Sequence, residues 1–549
     1  MKGAPAIEPR YATLTEMLDA AAYSDQSLIF VGRDEQDHPV SMADIRSHAH
    51  ALAAGLRDAG VRPGDRVALV LPTGPDFVAS FFGVLVAGAI PVPLYPPVRL
   101  GKLAEYQSRT AAMLRAVQAA LVVTDDRIRP ALEAPVTDAG PRLGCVTAAA
   151  LCRPGDVGHR AAADDAALIQ FSSGSTHDPK PVVLTHRNLL SNIAAIADYF
   201  TGHGMPDPVG VTWLPLYHDM GLIGNLLTAF YLPRPLVLLA PEHFLAVPAA
   251  WLRAISRHRG TVTAAPNFAF GLCLKRIRDA ELDGVDLSSW RLCLNGAEMI
   301  SADVQRRFGD RFGRWGFEPS ALTPVYGLAE ASLAVTFKAA GAAPNVVAAP
   351  RPGAQDLVGT GRPLAGVEID IRDDDGSSLP EDSVGRIVVR GPSVMAGYYG
   401  RPDLTEQVLH DGWLDCGDIG FLHGGELFVC GRSKETIVIR GANHAPQDFE
   451  AVLDAVPGVR TGCAVAVGYL PADAGEESLA LLVETTPDAA PTLAQDVAAQ
   501  VLARTGISAH HVELLAPGTL PRTSSGKLRR LEARSQWLAG TLTPRRTPC

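Results

Sequence analysis

Short apolar runs alternating with stretches of helical spacing recur through most of this chain, and that alternation restricts the fold more than any other feature. Apolar residues fall on one helical face over 14–22 and 41–59, and the turn at 61–65 leads into a buried strand at 66–71. A helix at 75–87 then precedes a strand at 90–94, and a helix at 103–117 precedes a strand at 120–124. Strands separated by helices join as parallel neighbours, so the pattern predicts an α/β fold with a doubly wound sheet. Further runs at 209–214, 236–239, 262–265 and 292–294 predict a second sheet of the same type. Ligands in such sheets sit beyond the carboxyl ends of the strands. That rule directs attention to Tyr217-His218-Asp219, Pro266-Asn267 and Asn295-Gly296-Ala297-Glu298.

Past residue 358 the texture becomes alternating and glycine-punctuated, with strands at 367–372 and 385–390, which predicts a β-rich, barrel-like subdomain over about 356–433. A charged break at 431–435 separates strands at 426–429 and 436–439. The remainder, with helices at 447–455 and 493–505 and strands at 461–468 and 479–484, is large enough for a small α+β domain. The expected division is therefore a large domain, 1–433, and a small C-terminal domain, 434–549. A chain of 549 residues needs more than one core in any case.

Bulk properties exclude several function classes. The formal charge of -10 leaves no broad cationic face for nucleic acid. The eight cysteines include no C-x-x-C pair, a pattern of reduced thiols and not of structural zinc. His186 and His444 are too isolated in sequence to argue for a metal site. The N-terminus lacks a signal peptide's apolar run, and the apolar stretch 77–94 is broken by Pro91 and Pro93, so no membrane span is expected and the location expected is cytoplasmic.

Two polar loops carry candidate chemistry. Ser172, Ser173, Gly174, Ser175 and Thr176 follow an apolar strand at 166–171, and Lys180 comes shortly after. Hydroxyls and bare amides there can wrap an anion, although the same residues also make an ordinary solvated loop. Near the C-terminus, Lys527 sits beside Thr523, Ser524, Ser525 and Gly526, flanked by Arg522, Arg529 and Arg530. A cationic loop in an acidic chain points to an anionic partner such as phosphate. It is not a Walker A loop, and its S-x-x-K pattern lacks the S-D-N and K-T-G companions of penicillin-binding enzymes.

Taken with Tyr326-Gly327-Leu328-Ala329-Glu330, Gly417-Asp418 and the 431–435 segment, these loops resemble the successive signatures of the adenylate-forming superfamily of acyl-CoA synthetases, adenylation domains and luciferases. The segments 93–97, 213–224 and 443–450 are similar to its fatty acyl-AMP ligase branch. The resemblance implies ATP and Mg2+ as cofactors and a fatty or related carboxylic acid as substrate, activated to acyl-AMP with release of pyrophosphate. It also implies transfer of the acyl group to the phosphopantetheine thiol of an acyl carrier protein, or to coenzyme A in the alternative; a non-adenylating, adenylate-binding member is a third reading. Lys527 is implied to bridge carboxylate and α-phosphate, Glu330 and Thr176 to serve the metal, and 172–176 with Lys180 to hold phosphates. Asn295, Gly296, Ala297, Glu298, Tyr326 and Gly327 are implied to surround the base, Asp418 and Arg432 to meet the ribose, His218 to gate the acyl site, and Lys434 to act as a hinge that exchanges Lys527 for another face including Gly441. Two departures stand out: Pro181 replaces the family's usual glycine, and the 337–357 connection is too short for the insertion by which fatty acyl-AMP ligases restrain the small domain and disfavour coenzyme A.

Overall fold

The computed structural model describes residues 1–97, 103–155, 157–172, 180–348, 355–439, 442–471, 477–523 and 527–545. Helices Leu14–Ala21 and Met42–Asp58 start where Thr13 and Ser41 accept hydrogen bonds from Glu16 and Asp44 amides, which satisfies donors that the first turn leaves orphaned. Helix Pro75–Val86 is buried along almost its whole length, as its all-round apolar sequence requires.

Strands Ile90–Pro93, Arg66–Val70, Leu121–Thr124 and Cys145–Thr147 form one parallel sheet in that order. A nine-stranded sheet lies beside it. Its central strands Leu322–Gly327, Leu292–Asn295, Val262–Ala265, Gly210–Thr212, Leu236–Leu239 and Ser27–Val31 are parallel. Its edges are antiparallel: Ala334–Phe337 and Arg362–Pro363 on one side, Asp37–Ser41 on the other. The hairpin at Ser27–Val31 and Asp37–Ser41 is not anticipated by the helical reading of the N-terminus. The run at 209–214 is strand only as far as Thr212, because Trp213 and Leu214 turn down into the core.

Strand Ala166–Phe171 joins neither parallel sheet. It pairs antiparallel with Pro181–Thr185, and Gly397–Tyr398 adds a third strand. Pro181 is the first residue of its strand, a position that tolerates a missing N–H, and its carbonyl accepts from the Tyr399 amide at 2.8 Å. The β-rich segment forms an antiparallel sheet from Glu368–Arg372, Gly385–Arg390, Trp413–His423 and Leu409–His410, with Glu426–Arg432 also paired to Trp413–His423. That last strand runs three residues beyond the expected end, so Gly431 and Arg432 belong to the sheet and the break narrows to the turn Ser433–Glu435.

From Ile437 onward the chain builds its own apolar core around strands Val459–Tyr469, Ser478–Thr485 and Ala509–Leu515, covered by helices Pro446–Leu453 and Leu493–Thr505. This C-terminal unit docks on the large one through Arg109 and Glu532, through Lys275 Nζ to Thr461 Oγ1 at 2.7 Å, and through Gln355, whose amide donates to Asp448 Oδ1 at 3.1 Å. Arg530 holds the unit together internally. Its guanidinium reaches Glu435 and Glu450, each at 2.8 Å, with all three side chains largely buried. Truncating it strands two carboxylates away from water. Arg530→Ala is expected to destabilise the C-terminal unit by about 3–5 kcal/mol in urea unfolding, with Arg530→Lys recovering only part because an ammonium cannot span both partners.

Candidate functional site

The cationic loop near the C-terminus is less free than its sequence implies. Arg530 is committed to Glu435 and Glu450, Arg529 to Glu532 at 2.5 Å, and Arg522 to the Gly462 carbonyl and Cys463 sulfur. The argument for an external phosphate from these arginines is thereby narrowed: carboxylates within the chain already meet Arg529 and Arg530, and Arg522 is held by a backbone carbonyl and a thiol. Lys527 is different. Its amide donates to Thr523 Oγ1 at 3.0 Å and its carbonyl accepts from the Thr523 amide at 2.8 Å, which closes the loop and presents the side chain to a cavity of about 300 Å3. Burial pulls the Lys527 ammonium below the ordinary lysine range, while the Glu298 and Asp219 carboxylates oppose that shift.

Glu298 lies just past strand Leu292–Asn295, where it accepts from the Phe268 amide at 3.1 Å. Burial pushes its carboxyl up, and Lys527 counters it. Asp219 Oδ1 lies 2.7 Å from His218 Nδ1 and also accepts from the Met220 amide at 2.7 Å. Despite burial its carboxyl is held below the usual range by His218 and Lys527. The same Nδ1 also lies 3.3 Å from the Met220 amide nitrogen, so that nitrogen is engaged on the helix side while the ring lines the cavity.

Lys180, Tyr326, Gly327, Ala297, Glu330, Arg432, Lys434 and Ser172 line the same cavity. Tyr398 organises the Lys180 side of the cavity. Its hydroxyl donates to Glu330 Oε1 at 3.0 Å, and Lys180 Nζ lies 5.0 Å from its ring centre. Burial lowers the Lys180 ammonium and Glu330 opposes the shift. Tyr326 donates to Asp418 Oδ2 at 2.7 Å, and Arg432 Nε is 3.5 Å from Asp418 Oδ1 because the two residues are cross-strand partners. Burial raises the Asp418 carboxyl, and Arg432 and Tyr326 oppose it.

Asn295 sits beneath the wall, fully buried, with Nδ2 3.4 Å from Asn267 Oδ1. Gly296 packs against Val325, where a Cβ would lie 2.6 Å from a methyl group. Ala297 and Ser332, at φ 67° and 66°, are non-glycine residues in left-handed backbone within the two loops at the strand ends. Lys434 is exposed in the turn Ser433–Glu435. Ser173, Gly174, Ser175, Thr176 and Gly441 lie outside the described residues, as do Ser524, Ser525 and Gly526. Among the described residues no cluster of His, Cys, Asp and Glu is arranged to hold a metal unaided. Glu330, a hard carboxylate beside Lys180, suits Mg2+ shared with phosphates, which is how that ion is commonly held. His186 is structural: its Nδ1 accepts from the Leu14 amide at 3.0 Å, and burial lowers it to about 4.

Sequence reasoning singled out Asp219 beside His218 at a strand end without giving it a role, and it passed over Tyr398. Tyr398 carried no signal, because its place depends on a two-residue strand packing beside Pro181–Thr185. Gly327 is required by its backbone neighbours: a Cβ would lie 1.8 Å from the Leu333 carbonyl oxygen. Gly327→Ala should therefore cost about 1–3 kcal/mol and displace the turn that carries Glu330, read as a lowered unfolding midpoint of the large domain.

No helix among the described residues is long and apolar enough to cross a membrane. Residues 17–399 match the profile of the AMP-binding enzymes. The chain is 31% identical to the medium-chain-fatty-acid–[acyl-carrier-protein] ligase JamA of Moorena producens, across 97% of this chain and 96% of that one. It is also 31% identical to the long-chain-fatty-acid–AMP ligase FadD32 of Mycolicibacterium smegmatis, across 93% and 90%. A solved structure from work on the fatty acyl-adenylate ligases of E. coli and L. pneumophila superposes with a TM-score of 0.90 at 34% identity, covering 97% of this chain and 99% of the other.

Proposed function

Because the chain belongs to the AMP-binding, adenylate-forming enzymes, we propose that it couples a fatty or related carboxylic acid to AMP and passes the acyl group to the phosphopantetheine thiol of an acyl carrier protein. The observation that carries this reading is the convergence of Lys527, Glu330, Lys180 and Tyr326 on one cavity with apolar residues in its lining, Tyr326 being bonded to Asp418 behind it. In the first half-reaction a carboxylate oxygen attacks the α-phosphorus of ATP and pyrophosphate leaves. In the second, the thiol sulfur attacks the acyl carbonyl carbon and AMP leaves.

Both reactants of the first step are anions, so positive charge placed between them is the main requirement. Lys527 supplies it, as an electrostatic and orienting group and not as an acid or base. Lys180 and the 172–176 loop would hold phosphate oxygens, and Glu330 with Thr176 would hold Mg2+, which when bound would supply neutralisation of charge on the pyrophosphate. Tyr326 offers a ring face for adenine while its hydroxyl orients Asp418 toward the ribose, with Arg432 beside it. Asn295, Gly296, Ala297 and Glu298 shape the base pocket, and His218 stands where the acyl arm opens. The turn at Ser433–Glu435 serves as the junction between 1–433 and 434–549, with Lys434 as its pivot, so that Lys527 leaves when the thiol arrives. The reading places the enzyme in the cytoplasm, where its nucleotide and carrier partners would be.

Two observations favour a carrier protein over coenzyme A. One is the similarity to JamA, whose name makes an acyl carrier protein its acceptor. The other is Gln355, which lies in the short connection and yet tethers the small unit by its contacts with Asp448 and Gln447, a restraint of the sort implied for a longer insertion. With ATP, Mg2+ and fatty acids, acyl transfer to a phosphopantetheinylated carrier protein is expected to exceed transfer to coenzyme A; robust acyl-CoA with no acyl-carrier product sides with the alternative acceptor.

Lys527→Ala is expected to lower acid-dependent pyrophosphate release about a hundredfold or more while ATP binding persists. Its ammonium form is the active one, and its folded-state value lies below the ordinary 10.5. Activity should therefore fall as pH rises through that lowered value. Since Glu298 supports the charged form, Glu298→Gln should move this alkaline limb to still lower pH; an unmoved limb would separate the limb from Lys527.

A further inference from the structure

The apolar arm of the cavity is walled by Ile196, Val262, Ala264, Leu294, Leu333 and Phe337. One amide interrupts it. Asn225 lies in the π-helical turn Leu222–Leu227, is only 8% exposed, and lines the cavity. Its orientation follows from its inner partner: Nδ2 donates to the Met220 carbonyl at 2.7 Å, and a carbonyl oxygen can only accept, so the nitrogen must face inward. Oδ1 occupies the other side of the amide. Among the described residues no protein donor reaches Oδ1, and it is not one of the sealed, unpartnered polar atoms of the interior, so it opens on the cavity.

The turn itself accounts for half of this side chain. A π-helical turn withdraws carbonyls from their α-helical partners, and here Asn225 Nδ2 and Thr228 Oγ1 satisfy Met220 and Ile223, the latter at 3.0 Å. That role uses an N–H only. The amide oxygen remains a hydrogen-bond acceptor in an apolar wall, where a purely hydrocarbon ligand would strip it of water and give nothing in return.

We propose that Asn225 selects acids that carry a hydroxyl group along the chain, the hydroxyl donating to Asn225 Oδ1. The inference rests on the adenylation reading above and adds to it the class of acid. A hydroxylated chain would gain one buried hydrogen bond where the plain chain leaves an unpaired acceptor, a difference that sites of this kind convert into large discrimination.

The test is acid-dependent pyrophosphate release by the full chain with decanoic and palmitic acids and with their monohydroxy isomers, the hydroxyl moved stepwise from the carboxyl end. In the wild type, kcat/KM for one hydroxyl position or two adjacent ones should exceed that of the matched plain acid by about tenfold or more. In Asn225→Leu that ratio should collapse to about one or below. Because it is taken within one variant, partial loss of folded protein cancels. Equal use of plain and hydroxylated acids by the wild type, or an undiminished ratio in Asn225→Leu, overturns the proposal while leaving adenylation intact. Absence of release with every acid overturns the adenylation reading and this selection with it.

Discussion

One partly desolvated ammonium links the C-terminal unit to the large one. Lys527 is half-buried beside groups of the large unit, and a cation drawn partly out of water is stabilised by negative charge near it. Glu298 and Asp219 provide that charge from the ends of two different stretches of the nine-stranded sheet. Each carboxylate is perturbed in turn by burial and by Lys527. The three groups are thus mutually dependent, and their coupling joins the closing loop of the chain to the strand ends where an α/β sheet places its ligands.

Around this triad, two antiparallel layers supply what the parallel sheets cannot. The hairpin Ala166–Phe171 and Pro181–Thr185 brings Lys180 to the cavity, and strand Gly397–Tyr398 adds the tyrosine that fixes Glu330. The β-rich sheet delivers Asp418 and Arg432 as a cross-strand pair, and Tyr326 reaches over from the parallel sheet to bond the first of them. The π-helical turn after His218 widens the helix at the point where the cavity becomes apolar, and Asn225 is the polar residue left facing inward. Charged and apolar parts of the cavity lining therefore share the stretch of chain that runs from His218 to Asn225.

Much of this was legible beforehand, and unevenly. Strands such as Leu236–Leu239 and Val262–Ala265 announce themselves because each is a continuous apolar run buried on both faces. The strand at Ser27–Val31 does not, since it is completed by a parallel partner, Leu236–Leu239, far along the chain. The arginines at 529 and 530 were misleading for a related reason: local charge density is visible in sequence, whereas Glu435, Glu450 and Glu532, which absorb it, are brought close only by the fold. The strand ending in Arg432 outran its expected limit because its pairing with Asp418 overrides weak local preference.

What the amino-acid sequence determined by itself is the α/β architecture, the large and small units and the family to which the motifs belong, because periodicity and motif residues are local and survive without knowledge of neighbours. Tertiary structure alone decided which charges remain available for chemistry. Lys527 and the arginines around it look alike as a string of letters, but only Lys527 faces the cavity, with Glu298 and Asp219 from the other unit as its counter-charges. The same holds for Asn225. In sequence it is one amide in an apolar helix; in the fold its nitrogen is consumed by a widened turn and its oxygen is left in the cavity. Availability of a polar atom is set by which partners reach it, and that is a property of three-dimensional packing.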